Sequence, residues 1–230
     1  MQPLKLITQI TRRKQMIKKV LVLATCMVFL MAGVAQAETV TYFGVSPGET
    51  INIVAPTIPY SGGAYAGMYN FAISDGSGIY TGSYKGYCVE PAFESSPFTA
   101  TIIAVTEGSR YEAAAYLLGK YYDTTSTNSQ KAAQVQMAVW ELVWDFYGSY
   151  NLADGTFQTS TYTTEVNNLI SEAVAALPGF TPSGYYVAQA PTGEFGVPPQ
   201  DFIFKTPEPG MLTLLGLGLV ALGITRRRSK

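Results

Sequence analysis

At 230 residues the chain is long enough to bury a real core, yet it holds no histidine, which excludes histidine-based triads, imidazole metal sites and histidine pH switches together. Its net charge of −1 conceals an acidic body: between residues 38 and 206, Lys85, Arg110, Lys120, Lys131 and Lys205 stand against fifteen Asp and Glu. A surface that acidic argues against a nucleic-acid partner and favours solubility outside the cell.

Residues 1–37 read as a secretory signal peptide. Arg12, Arg13, Lys14, Lys18 and Lys19 make a basic region, 20–34 is an apolar run, and Ala35-Gln36-Ala37 fits the small-x-small site at which signal peptidase would cut after Ala37. Met16 also opens a signal of ordinary length. Cys26 falls in the apolar run behind Thr25, a poor neighbour for lipidation, so ordinary cleavage is expected. Cys88 is then the one cysteine of the mature chain. Exported proteins usually keep cysteines in pairs or keep none, and a lone thiol rules out a cysteine zinc site. No metal or other cofactor is expected.

The body, 38–205, begins with strands. The segments 39–45 and 50–55 are short β-rich runs parted by Ser46-Pro47-Gly48. Runs at 64–73 and 79–89 flank a turn-rich stretch at 74–78, and 98–105 is a further strand. Cys88 thus falls near a strand end, before Pro91 stops the pairing. Helices follow. Ser109-x-x-Glu112 reads as a capping box opening a helix to about 122, a central helix covers about 130–147, and a third covers about 164–177. That third helix places Val166, Leu169, Ile170, Ala173, Val174 and Leu177 on one face. Strands at 185–189 and 202–205 close the body. The expected class is α+β: a β-sandwich or barrel with a helical insertion, flanked by an N-terminal signal peptide and a C-terminal apolar helix.

The central helix carries a choice among glutamines. At about 100° per residue, Gln130, Gln134, Glu141, Asp145 and Gly148 share a side that reads as solvated. Gln136 points nearly opposite, with Ala132, Val139, Trp140, Val143 and Tyr147. A core-facing amide must find partners or cost about 1–3 kcal/mol. Two readings follow: a hydrogen bond to a strand end, or capture of its amide carbon by a thiol. Trp140 and Trp144 are expected to fill the core rather than stack on sugars. Glu90, Glu141 and Asp145 are carboxylates of the kind that cleave glycosides, but nothing in the sequence pairs them.

Tyr87-Cys88-Val89-Glu90, then Ala114-Ala115-Tyr116-Leu117-Leu118 with Tyr121-Tyr122, then Ala133-x-x-Gln136-x-Ala138-Val139-Trp140 resembles the thioester domain of Gram-positive surface adhesins over about residues 84–147. The resemblance implies a Cys88–Gln136 thioester with Tyr87 and Trp140 around it, and covalent attachment to an amine-bearing target (adhesion). Such a protein is consumed in the act and is not an enzyme. It departs from that family in setting, having neither a Gram-positive wall anchor nor stalk domains. The alternatives are a non-reactive envelope or biofilm-matrix structural protein and a reversible carbohydrate-binding domain.

Residues 206–230 end the chain with Pro207-Glu208-Pro209, an apolar stretch at 211–225 and Arg226-Arg227-Arg228. As a helix the stretch reaches about 22 Å, short of a hydrocarbon core of about 30 Å, with the arginines held on the cytoplasmic side. The order resembles the PEP-CTERM sorting signal of Gram-negative bacteria. It implies transient anchoring in the inner membrane by a short transmembrane helix, recognition by an exosortase, and delivery to the cell surface or an extracellular exopolysaccharide matrix.

Overall fold

The structure, a computed structural model, describes residues 37–55, 60–74, 80–90, 97–148, 150–191 and 200–206. The expected signal peptide up to Gln36, including Ala35, lies outside them. So do residues 75–78 of the expected turn, Ile79 of the strand expected after it, Pro91, and the sorting segment with Pro207, Glu208, Pro209, Arg226, Arg227 and Arg228. Among the described residues no helix is long and apolar enough to cross a membrane.

Among the described residues seven strands and three α-helices follow in the order β1 (Glu38–Ala55), β2 (Tyr60–Ser74), β3 (Gly82–Cys88), β4 (Phe98–Ala104), α1 (Glu112–Thr125), α2 (Ser129–Trp144), β5 (Gln158–Thr159), α3 (Thr163–Ala176), β6 (Tyr185–Gln189) and β7 (Phe202–Lys205). The fold is α+β, with an antiparallel sheet and all three helices between β4 and β6. β1 bonds to β2 on one side and β4 on the other, so the run β1–β2–β3–β7–β6–β4 returns to β1, and β5 hangs from β1.

Strand alternation sorts the side chains into two cores. Val40, Tyr69, Phe71, Ile73, Cys88, Phe98, Ala188, Phe202 and Phe204 are buried together on one face. Phe202 lies at the centre, 5.0 Å from the Phe71 ring and 5.3 Å from Tyr69. Residues of opposite parity, among them Met68, Tyr87, Val187 and Ile203, join the helices in a larger core. Each such side chain stabilises by about 1.5–3 kcal/mol.

Several expectations are corrected. β1 is not broken at Ser46-Pro47-Gly48; bulges between Tyr42 and Gly44 and between Val45 and Gly48 absorb the extra residues. The register then sets Gly48 against Gly67, where a Cβ on Gly67 would lie 2.3 Å from the Pro47 carbonyl. The capping box is not made: Glu112 accepts the Gly108 N–H at 2.8 Å, while Ser109 Oγ is buried without a partner. α2 starts at an Asn128 cap, whose Oδ1 accepts the Lys131 N–H at 2.9 Å, and stops at Trp144. Tyr147 therefore lies past the helix and is 96 % exposed. On α3, Val166, Leu169, Ile170 and Ala173 are buried as expected, but Val174 is exposed.

The expected solvated stripe of α2 is the largest discrepancy. Gln130 is exposed, but Gln134, Glu141 and Asp145 are buried. The chain returns over them after the helix ends: Glu141 accepts the Asn151 N–H, and Asp145 accepts the Thr156 and Phe157 N–H groups at 2.9 and 3.3 Å. Charged side chains enter the interior here because loop amides need acceptors.

Candidate functional site

Cys88 is the last residue of β3, and the local pairing explains what surrounds it. β2 keeps β1 along its other edge throughout, but pairs with β3 only as far as Tyr69 opposite Gly86. β7 continues on the other side, Phe202 facing Cys88, and Val89 N–H donates to the Asp201 carbonyl at 2.9 Å. The peptide groups of Cys88 that would have met β2 are left without a strand. Gln136 of α2 takes its place. Cys88 N–H donates to Gln136 Oε1 at 3.1 Å, and Gln136 Nε2 donates to the Cys88 carbonyl at 2.6 Å. Both residues are completely buried. A small residue is required two residues back: a Cβ on Gly86 would lie 2.0 Å from the Ile203 carbonyl oxygen.

The thiol donates to the Glu90 carbonyl. Burial pushes the Cys88 thiol well above its ordinary range, an effect the Glu90 and Asp201 charges reinforce and the Glu90 carbonyl and Trp140 indole oppose. The site thus holds a neutral thiol and disfavours a free thiolate. Trp140 is buried one helical turn beyond Gln136, its ring 5.5 Å from Phe157. No face of it is available for stacking a sugar. Tyr87 is also fully buried but belongs to the helix-facing core, with Cys88 on the opposite face of the strand. Burial, partly offset by Thr125, raises its phenol above the usual range. Lys85 shares the parity of Tyr87, so the nearest lysine in sequence projects away from the thiol.

Sequence reasoning named Glu90 but missed Asp201, the second carboxyl acting on the sulfur. Asp201 is buried, its Oδ1 accepting the Ala190 N–H at 2.7 Å. Its carboxyl is pushed up to about 7, chiefly by burial and then by Glu90, with the Ala190 N–H and Arg110 opposing. Glu90 is raised by burial and held back by Arg110, whose guanidinium lies 3.8 Å from it. The signal available in sequence was an aspartate immediately before an apolar strand, too common a pattern to single out. Among the described residues no cluster of acidic or sulfur ligands is arranged to hold a metal. Ala37, after which cleavage is expected, is exposed directly before β1.

Comparison with known proteins identifies one segment. Residues 205–228 match the PEP-CTERM protein-sorting motif. The motif marks an exported protein, processed by an exosortase and destined for the cell surface or the space outside. No curated protein and no solved structure matches the chain.

Proposed function

We propose that the body is a surface or matrix module of a Gram-negative cell that closes an internal Cys88–Gln136 thioester and spends it on an amine of its target. The closed run of strand pairings, with its own aromatic filling, supports reading the body as a small β-barrel carrying a helical insertion. One observation carries the functional reading: a fully buried carboxamide docked by two hydrogen bonds on the peptide groups of a fully buried, unpaired cysteine.

That contact favours the chemistry in three ways. It holds thiol and amide carbon on the same residue pair, so the reaction is intramolecular. The Cys88 N–H already donates to Oε1, where negative charge develops as sulfur adds to the amide carbon. Burial disfavours thiolate but not an uncharged S-acyl group, so the closed form suits the site better than the open anion. In closure the C–S bond forms and the C–N bond breaks. The thiol proton departs with the nitrogen as ammonia. In use, an amine takes the acyl group and the thiol is regenerated, so the protein is consumed and is not an enzyme.

The same two hydrogen bonds also satisfy every polar group they join, which favours a second, inert reading as a structural envelope or matrix protein. Intact mass decides between them. The exported protein is expected to be lighter than its sequence by one ammonia. Methylamine should add itself and free one thiol, and Cys88→Ala or Gln136→Ala should abolish both effects. Full mass with a permanently free thiol would leave the inert reading.

A further inference from the structure

Trp140 brings a polar group into the interior without giving it an acceptor. Its side chain is 2 % exposed, and Nε1–H meets no partner at hydrogen-bonding geometry. Orphaned buried donors are uncommon and cost about 1–3 kcal/mol each. The ring is firmly placed, packed against Phe157 and one turn from Gln136 along the same side of α2. Gln136 is docked on Cys88, and among the influences on the Cys88 thiol the Trp140 indole is the side-chain group that favours its anion. The other polar groups acting on that sulfur are an acceptor, the Glu90 carbonyl, and two carboxyl groups, Glu90 and Asp201, that disfavour its anion. The chain has no histidine to take the part of donor.

We propose that Trp140 is a catalytic residue of the acyl transfer, its indole N–H receiving the sulfur as the thioester opens; the role rests on the thioester reading above. When an amine nitrogen adds to the Gln136 acyl carbon, the C–S bond breaks and its electron pair stays on sulfur. The proton lost by the attacking nitrogen ends on that sulfur, so the products are an amide at Gln136 and a neutral thiol at Cys88. Between cleavage and protonation the sulfur carries charge inside an apolar, acidic surrounding. The indole donates a hydrogen bond over that interval and keeps its own proton. Once S–H has formed, it turns to the Glu90 carbonyl, the arrangement found here. The orphaned donor is thus satisfied only along the reaction path, which is the condition for accelerating it.

The experiment compares the full-length protein with Trp140→Phe and Phe157→Leu by intact mass and by methylamine uptake across pH. Trp140→Phe keeps an aromatic ring and removes the N–H, whereas Phe157→Leu loosens the packing and keeps it. Uptake is expected to slow at least about tenfold in Trp140→Phe, the loss of one hydrogen bond to a charged atom, and to stay within about threefold of the unmodified rate in Phe157→Leu. A second readout does not need the thioester. In a Gln136→Ala background, Trp140→Phe should move the pH dependence of Cys88 alkylation by iodoacetamide upward by about one unit, a shift that a merely space-filling ring would not produce. Should Trp140→Phe misfold, a tryptophan analogue with sulfur in place of the N–H, incorporated in a Trp144→Phe background, repeats both measurements with the ring shape kept. Unchanged uptake and an unchanged alkylation profile would overturn the role of Trp140 alone. An unmodified protein that has lost no ammonia would overturn the thioester reading first, and this role with it.

Discussion

A single carboxamide stands where a strand should be. Gln136 supplies one acceptor and one donor to Cys88 just past the point where β2 stops pairing with β3, and so completes the ladder from a helix. Its removal leaves a buried N–H and a buried C=O unpaired. In a Cys88→Ala background, where no covalent bond plays a part, Gln136→Ala should lower unfolding stability by about 3 kcal/mol in urea titrations. A loss within experimental error would mean that water or rearranged backbone replaces the amide. Gly86→Ala should be worse tolerated, because the added Cβ would strike the Ile203 carbonyl and push β3 off β7. A cost above about 3 kcal/mol or a failure to fold is expected from expression and thermal melts. The inward direction of Gln136 was legible from helical periodicity alone, since Gln134 lies on the other side. Asp201 was not legible, because its burial depends on the pairing of β7 with β3, a contact between segments more than a hundred residues apart.

α2 is the element around which the helical layer is built, and its C-terminal turn shows what periodicity misses. Glu141 and Asp145 have the spacing of a wet stripe, yet both are buried beneath the segment that returns over the helix end. Nothing in the helix itself announces a lid contributed by residues 151–157. Glu141 is pushed up to about 7, first by burial and then by the charge of Asp145, against the pull of the Asn151 N–H. The folded protein therefore holds a proton that the unfolded chain releases near the ordinary carboxyl range. Its contribution is fully present below about 4.5 and is lost as pH rises through about 7. Asp201 acts in the same direction. The denaturation midpoint should accordingly fall between pH 5 and 8, and Glu141→Gln or Asp201→Asn should each flatten that decline. A slope unchanged in both variants would place the titrating groups elsewhere. The strands, by contrast, were largely legible as β-rich runs. The bulges that carry β1 through Ser46-Pro47-Gly48 were not, because a proline and a glycine in sequence signal a turn more often than a kinked but continuous strand.

For the whole molecule, the end of the chain was the easiest part to read. Three unlike elements in fixed order carry their own address, and residues 205–228 match the sorting motif independently of the fold. Replacing Pro207, Glu208 and Pro209 by alanine should leave the protein unprocessed and retained with membranes, as fractionation and immunoblotting would reveal. Normal release of that variant would show that the tail is handled by another route. The closure of the sheet was beyond sequence, because β1 bonds to both β2 and β4 and β7 is inserted between β6, the strand just before it, and β3, more than a hundred residues earlier.

β7 has one more consequence. It runs between β3 and β6, and the tail leaves directly from its end at Lys205. Tension applied through the tail would pull that short strand lengthwise, so its bonds to both neighbours share the load and must yield together instead of opening like a zipper.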